Sequence, residues 1–240
     1  MQALILAAGE GTRLGNRTTS VPKPMLEIAG KPVLEHNVLL LARFGIGNIT
    51  INTYHQPQYI VDHFGDGSRF GVKISYSHER QLLGTAGALV PLIDVLSKTF
   101  VVVFGDNIST CNLGRALDLH RARRADATVA LFHREDVRAS GVAEIDSDDR
   151  IRQFVEKPTA EQTSSKWVNA GIVFAEPALL NYVPRDRPSD LGRDVFPQML
   201  KNGGRLFGYR MREQLHWIDT PEDYERTSAA LVAGDSSRCL

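Results

Sequence analysis

Arg13 and Lys23 stand just beyond a glycine pair, in Leu4-Ile5-Leu6-Ala7-Ala8-Gly9-Glu10-Gly11-Thr12-Arg13-Leu14 followed by Pro22-Lys23-Pro24-Met25. These residue types at this spacing suit a polyphosphate. Gly9 and Gly11 free the backbone to turn sharply, so that successive N–H groups point at phosphate oxygens with no Cβ in the way. Arg13 offers a planar fork of donors and Lys23 a compact positive charge. The uninterrupted apolar run Ala3 to Ala8 predicts a central parallel strand covered on both faces, which would deliver this loop to the end of a sheet.

Two other phosphate loops do not fit. The P-loop needs Gly-x-x-x-x-Gly-Lys-Ser/Thr, and no lysine follows Gly11 or Gly15. The dinucleotide fingerprint needs Gly-x-Gly-x-x-Gly, and Gly15 comes one residue late. The glycine, arginine and lysine pattern instead resembles the sugar-nucleotide pyrophosphorylases, nucleotidyltransferases whose signature is Gly-x-Gly-Thr-Arg-Leu followed by Lys-Pro.

Downstream motifs extend the resemblance, in the same order. Leu83-Gly84-Thr85-Ala86-Gly87-Ala88 resembles the loop that holds nucleobase and ribose; on its own it also reads as a tight helix start capped at Thr85. Val103-Phe104-Gly105-Asp106-Asn107 resembles the Gly-Asp-Asn motif, in which Asp106 would ligate magnesium; an Asx-type turn closing a strand is the plain alternative. Gly141-Val142-Ala143 with Glu156-Lys157-Pro158 resembles the sugar-phosphate contact, Glu156 accepting sugar hydroxyls and Lys157 meeting the phosphate. The plain alternative is a surface salt bridge between them, which strand alternation disfavours because adjacent strand residues point to opposite faces. Asn169-Ala170-Gly171 would supply amide donors and an acceptor to the sugar, or else form a strand bulge. In Trp217-Ile218-Asp219-Thr220-Pro221, Asp219 would complete the metal site. The family pattern there is Trp-x-Asp-Ile-Gly-Thr-Pro, so this chain is two residues short, and Asp219 has a competing role as cap of the following helix. In Ser189 to Pro197, Asp194 would hydrogen-bond the sugar or face solvent.

The resemblance therefore implies a nucleotide site of Leu6, Ala8, Gly9, Gly11, Thr12, Arg13, Lys23, Glu79, Gly84, Thr85 and Asp106. It implies a sugar-phosphate site of Asn107, Gly141, Glu156, Lys157, Asn169 and Asp194, with Mg2+ on Asp106 and Asp219. Arg13, Lys23, Asp106 and Lys157 would carry the chemistry. The expected reaction moves a nucleotidyl group from a nucleoside triphosphate to a sugar 1-phosphate, releasing pyrophosphate. The attacking phosphate is already ionised near neutral pH, so no general base is required and the seven histidines are left as structural or surface residues. The resemblance leans toward the mannose- and heptose-1-phosphate guanylyltransferases. Glu79 agrees, since a carboxylate can accept from both N–H positions of guanine; the alternative is a solvent-exposed strand end. A dTTP- or UTP-dependent enzyme, or a regulatory subunit that has lost turnover, are the other readings.

The elements that must position these residues alternate between strand and helix over much of the chain, which predicts an α/β fold: a doubly wound, mostly parallel central sheet (Rossmann-like) with a small added β section. Strands are expected at Ala3–Ala8, Ile49–Asn52, Val72–Ser77 and Phe100–Phe104. Helices are expected at Pro32–Phe44, Tyr59–Phe64 and Thr85–Leu96. Short strands follow at Val129–His133, Gly141–Ile145, Ile151–Glu156 and Val168–Ala175, then helices at Pro177–Tyr182, Leu191–Asn202 and Pro221–Ala233. One domain is expected over 1–240, with a nucleotide-binding half to about 125, a sugar-phosphate half to about 233, and a tail. Thr159–Lys166 and Asp235–Leu240 read as loose. No C-terminal hexapeptide repeat is visible, so a second activity such as acetyl transfer is not expected.

The 240 residues are 42% hydrophobic, and Lys+Arg 28 balance Asp+Glu 28. A neutral chain without a basic run gives no support to nucleic-acid or anionic-membrane binding, so any positive field must be local to a pocket. The apolar opening is too short to span a bilayer and breaks at Gly9. Cys111 and Cys239, far apart and without Cys-x-x-Cys, read as free thiols of a cytoplasmic protein. A homodimer is a further implication of the resemblance.

Overall fold

The computed structural model describes residues 1–9, 11–18 and 21–233. Strands β1 (Gln2–Leu6), β2 (Glu27–Ile28) and β3 (Lys31–Pro32) precede helix α1 (Val33–Arg43). Then come β4 (Asn48–Thr53), α2 (Pro57–Phe64), β5 (Lys73–His78), α3 (Gly84–Gly87), β6 (Phe100–Phe104), β7 (Asn107–Ser109) and α4 (Leu113–Ala122). The second half runs β8 (Ala127–His133), β9 (Gly141–Ile145), β10 (Ile151–Glu156), β11 (Trp167–Ala175), α5 (Phe196–Lys201), β12 (Leu206–Arg210), β13 (Leu215–Trp217) and α6 (Pro221–Ala233).

β5, β4, β1 and β6 form a parallel block, in which the apolar runs of β1 and β6 lie side by side. β11 pairs antiparallel with β6 and carries the sheet onward to β8 and β12 on one side and to β9 and β10 on the other. The added β section is thus no separate layer: both halves share one nine-stranded sheet. Side chains alternate between its faces. Ala3, Ile5, Val101 and Val103 pack with Leu34, Val38 and Leu41 of α1, while Leu4, Phe100 and Val102 pack with Val195, Phe196 and Met199 on the other face.

Several expected elements are shorter or split. The helix expected over Thr85–Leu96 is α3 plus a 3-10 turn at Val90–Leu92, because Pro91 has no N–H to bond one turn back. Leu191–Asn202 opens as a π-turn at Leu191–Val195 and becomes α-helical only at Phe196, with Pro197 in its first turn. Helix α4, capped by Asn112 Oδ1 on the Arg115 N–H at 3.0 Å, and strands β7, β12 and β13 were not expected. Thr159–Lys166 is pinned by Thr163 Oγ1 to Glu144 at 2.8 Å and by Ser165 Oγ to the Ala143 carbonyl at 2.6 Å. Asp235–Leu240, including Cys239, lies outside the described residues. No described helix is long and apolar enough to cross a membrane.

Candidate active site

The carboxyl ends of the parallel strands open into a cleft of about 400 Å³, the position where open α/β sheets bind ligands. Leu6 leads out of β1 into Ala8, Gly9, Gly11 and Arg13, and all of these line the cleft with Lys23, Glu79, Gly84, Thr85, Asp106 and Asp219. Gly11 has a positive φ of 66°, and a Cβ there would come within 2.6 Å of Lys23 Cβ, so glycine lets the loop lie against the lysine stem. Thr12 begins the 3-10 turn Thr12–Thr18, and Glu10 lies outside the described residues.

Two short strands bring the sequence-distant acids together. Asp106 follows β6 across from the end of β1, where Gly105 donates its N–H to the Leu6 carbonyl at 2.8 Å. β13 pairs with β7, Trp217 opposite Asn107, which returns the chain to the same edge and sets Asp219 beside Asp106. Lys23 Nζ then donates to Asp106 Oδ2 at 2.7 Å and to Asp219 Oδ1 at 2.8 Å, and Arg13 donates to Asp219 Oδ1 at 3.1 Å. Thr220 Oγ1, not Asp219, accepts the Asp223 N–H at 3.1 Å and caps α6.

The Lys23 side chain is only 6% exposed. Burial alone lowers its pKa, but the Asp106 and Asp219 carboxylates outweigh burial and raise it above the usual lysine value, so it stays charged. Burial likewise raises Asp219, and Lys23 and Arg13 reverse this and hold it below the usual carboxylate range. Arg134, its guanidinium 4.6 Å from the Trp217 ring centroid, adds to that effect.

The two carboxylates converge on the Lys23 ammonium, and as a donor set they suit a magnesium ion, which is held by one or two carboxylates with substrate phosphates and water completing its shell. Among the described residues no group of three or more His, Cys, Asp or Glu could form an all-protein cage.

Glu79 is not a solvent-exposed strand end. It is 4% exposed, its Oε1 accepts from Asn52 Nδ2 at 2.7 Å, and its Oε2 accepts the Leu83 N–H at 2.9 Å. Each oxygen keeps a second lone pair. Thr85 is committed to the protein: its hydroxyl lies 3.2 Å from Asp190 Oδ1 and accepts the Leu191 N–H at 2.9 Å. The backbone N–H groups of Thr85, Ala86 and Gly87 are likewise committed, the first to Asp190 Oδ1 at 3.2 Å and the other two to the Ser189 carbonyl at 2.9 and 3.1 Å.

The expected sugar-phosphate residues do not line this cleft, and three of them are engaged otherwise. Asn107 is buried, with its Nδ2 donating to the Ala170 carbonyl at 3.2 Å. Asn169 Oδ1 accepts the Gly171 N–H at 2.9 Å within a register shift of β11 against β8, where Gly171 has φ 77°. Asp194 neither faces solvent nor reaches the cleft: its carboxylate accepts the Asp190 N–H and the Arg187 guanidinium, each at 2.8 Å. The acid that lines the cleft from this segment is Asp190, which the motif reading passed over.

Glu156 keeps its place as a candidate. A Cβ at either Gly141 or Gly192 would come within 2.6 Å of its Oε2, so two glycines make room for the carboxylate. Burial pushes its pKa up, Lys157 draws it down, and Asp190 pushes it up again, with a net rise. Lys157 does not obey strand alternation. It follows the end of β10 with φ 51°, and its N–H donates to the Ser140 carbonyl at 3.0 Å, so the geometry that would force the pair onto opposite faces is broken.

The model of the nucleotidyl transferase family matches residues 2–232. The chain belongs to that family. It is 38% identical to a mannose-1-phosphate guanylyltransferase of Mycobacterium tuberculosis over 98% of this chain and 65% of the relative. It is 37% identical to a UTP–glucose-1-phosphate uridylyltransferase of Synechocystis over 91% of this chain and 60% of the relative. The chain thus spans less than two thirds of the length of either relative. A candidate glucose-1-phosphate thymidylyltransferase from Bacillus anthracis, crystallised with sucrose, superposes with a TM-score of 0.88 at 27% identity, covering 99% of this chain and 96% of that one.

Proposed function

We propose that the chain transfers a nucleotidyl group from a nucleoside triphosphate to a sugar 1-phosphate, with pyrophosphate as the leaving group. The observation that carries this reading is the buried Lys23 ammonium shared by Asp106 and Asp219, with Arg13 alongside, at the mouth of a glycine loop. Bringing two phosphate anions into line is an electrostatic problem, and fixed cations with oriented amides answer it better than a general base would. Lys23 and Arg13 hold the triphosphate; Lys157 meets the acceptor phosphate; Glu156 accepts sugar hydroxyls. Mg2+ bound at Asp106 and Asp219 would supply charge neutralisation of the α-phosphate and the departing pyrophosphate.

GTP with a mannose- or heptose-type 1-phosphate is the favoured pair. Support comes from the two free lone pairs of Glu79, which match the two N–H positions of guanine, and from the guanylyltransferase named among the relatives. The uridylyltransferase at nearly the same identity keeps UTP as the second reading. The family resemblance supports a cytoplasmic setting and a homodimer.

The residue assignments separate the two substrates. Lys157→Ala is expected to weaken use of the sugar 1-phosphate and leave triphosphate affinity largely intact, and Arg13→Ala to do the reverse. Isothermal titration with each substrate alone, magnesium present, reads this directly. Equal loss for both ligands in both variants would mean the charges act as one shared field.

Glu79→Gln is expected to raise the KM for GTP roughly tenfold or more, the scale of a lost hydrogen bond to a charged group. Its new NH2 must face either Asn52 Nδ2 or the Leu83 N–H, donor against donor. ITP, which lacks the 2-amino group, should be a poorer substrate than GTP for the wild type and lose less in the variant. Equal use of GTP and ITP by the wild type would remove the guanine assignment.

A further inference from the structure

Asn52 lies near the carboxyl end of β4, opposite Leu6 of β1 and Ser77 of β5, and is 2% exposed at the floor of the cleft. Asparagine is uncommon within strands, and a buried amide is costly unless it is bonded. Here both ends are bonded. Oδ1 accepts the Ala7 N–H at 2.6 Å, and Nδ2 donates to Glu79 Oε1 at 2.7 Å. A backbone N–H only donates and an ionised carboxylate only accepts, so the chemistry of the partners fixes which way the amide points. Glu79 Oε2 then accepts from Leu83, the residue before Gly84. Three consecutive hydrogen bonds thus run from the root of the glycine loop, across the end of β4, to the root of the Gly84 loop.

We propose that Asn52 is a positioning residue that holds these two loops in one register, so that the base end and the phosphate end of a nucleoside triphosphate are bound by a single hydrogen-bonded strut. The proposal rests on the reading of the cleft as a nucleotide site, and adds to it a coupling between its two ends. Gly141, Glu156, Lys157 and Asn169 are not part of the strut, so its loss falls on the nucleotide and spares the sugar phosphate.

Two variants test it. Asn52→Ser removes the donor to Glu79. Asn52→Asp puts a second carboxylate oxygen where Nδ2 stood, 2.7 Å from Glu79 Oε1. Two carboxylates so close cannot both be ionised and must share a proton. The other charged groups around this pair are Arg13, Lys23, Asp106, Asp190 and Asp219 in the cleft, with His78 and Arg80 flanking Glu79 in sequence. As pH rises and the shared proton leaves, repulsion drives Glu79 and Leu83 away from β4.

The measurement is isothermal titration of GTP, UTP and dTTP with Mg2+ and no sugar phosphate, from pH 6 to 9, alongside the KM for the sugar 1-phosphate. With whichever triphosphate the wild type binds best, Asn52→Ser should lose roughly tenfold in affinity at every pH. Asn52→Asp should lose affinity progressively as pH rises, relative to wild type. The sugar 1-phosphate KM should change less than twofold in both. Wild-type affinity in the two variants, or an equal rise in both substrates' constants with no added pH dependence, overturns the strut. A wild type that binds none of these three triphosphates, nor CTP or ATP, overturns the nucleotide reading itself, and the strut with it.

Discussion

Asp219→Asn and Asp106→Asn are each expected to lower turnover by about two orders of magnitude or more, the scale on which a weakened metal site raises a barrier dominated by phosphate charge. The two changes should differ in a second way. Asp219 serves Lys23 and Arg13 at once, whereas among the described residues Asp106 serves Lys23 alone and is more open, with side chains 27% and 42% exposed. Asp219→Asn should therefore cost more stability and loosen Arg13 as well. The check is steady-state turnover across a magnesium titration, together with thermal unfolding. Near-wild-type turnover in Asp219→Asn would move the second ligand elsewhere.

Lys23→Met is the second large effect, and it separates charge on the substrate from charge on the protein. The ammonium compensates two carboxylates that otherwise face each other, so its loss should destabilise the fold. The cost should fall below the about 3–5 kcal/mol typical of breaking a fully buried pair, since water still reaches Asp106. The kcat/KM for the triphosphate should fall by about two orders of magnitude or more. Magnesium should raise the Tm of Lys23→Met more than that of wild type, because the freed carboxylates bind the ion in the folded state alone. A Tm that ignores magnesium in the variant would contradict the pairing of the two acids as one site.

The sequence revealed the loops that leave the parallel strands, because continuous apolar runs ending in glycine state both the strand and its exit. Gly9, Gly11, Arg13 and Asp106 reach one cleft for that reason, while Glu79 and Gly84 follow the mostly polar strand β5. The route by which Asp219 joins them was not legible. It depends on β7 and β13, three residues each, too short to show an alternating pattern. Asn52 escaped notice because a polar residue in an apolar strand carries no motif, although its place at the carboxyl end of β4 was a usable signal. Asp190 and Asp194 differ by one turn, and only the π-turn that opens the helix decides which of them faces the cleft. The departure of Lys157 from strand alternation was not legible, since nothing in Glu-Lys-Pro announces a positive φ at the lysine.

The central claim is nucleotidyl transfer, and pyrophosphate release tests it most directly. Purified protein is incubated with Mg2+ and each of GTP, dTTP, UTP, CTP and ATP against a panel of sugar 1-phosphates. The account predicts pyrophosphate release that requires both substrates, is fastest with GTP and a mannose- or heptose-type 1-phosphate, and disappears in Asp106→Asn. Release fastest with UTP or dTTP would replace the base and leave the reaction standing. No sugar-phosphate-dependent release with any triphosphate would contradict the account.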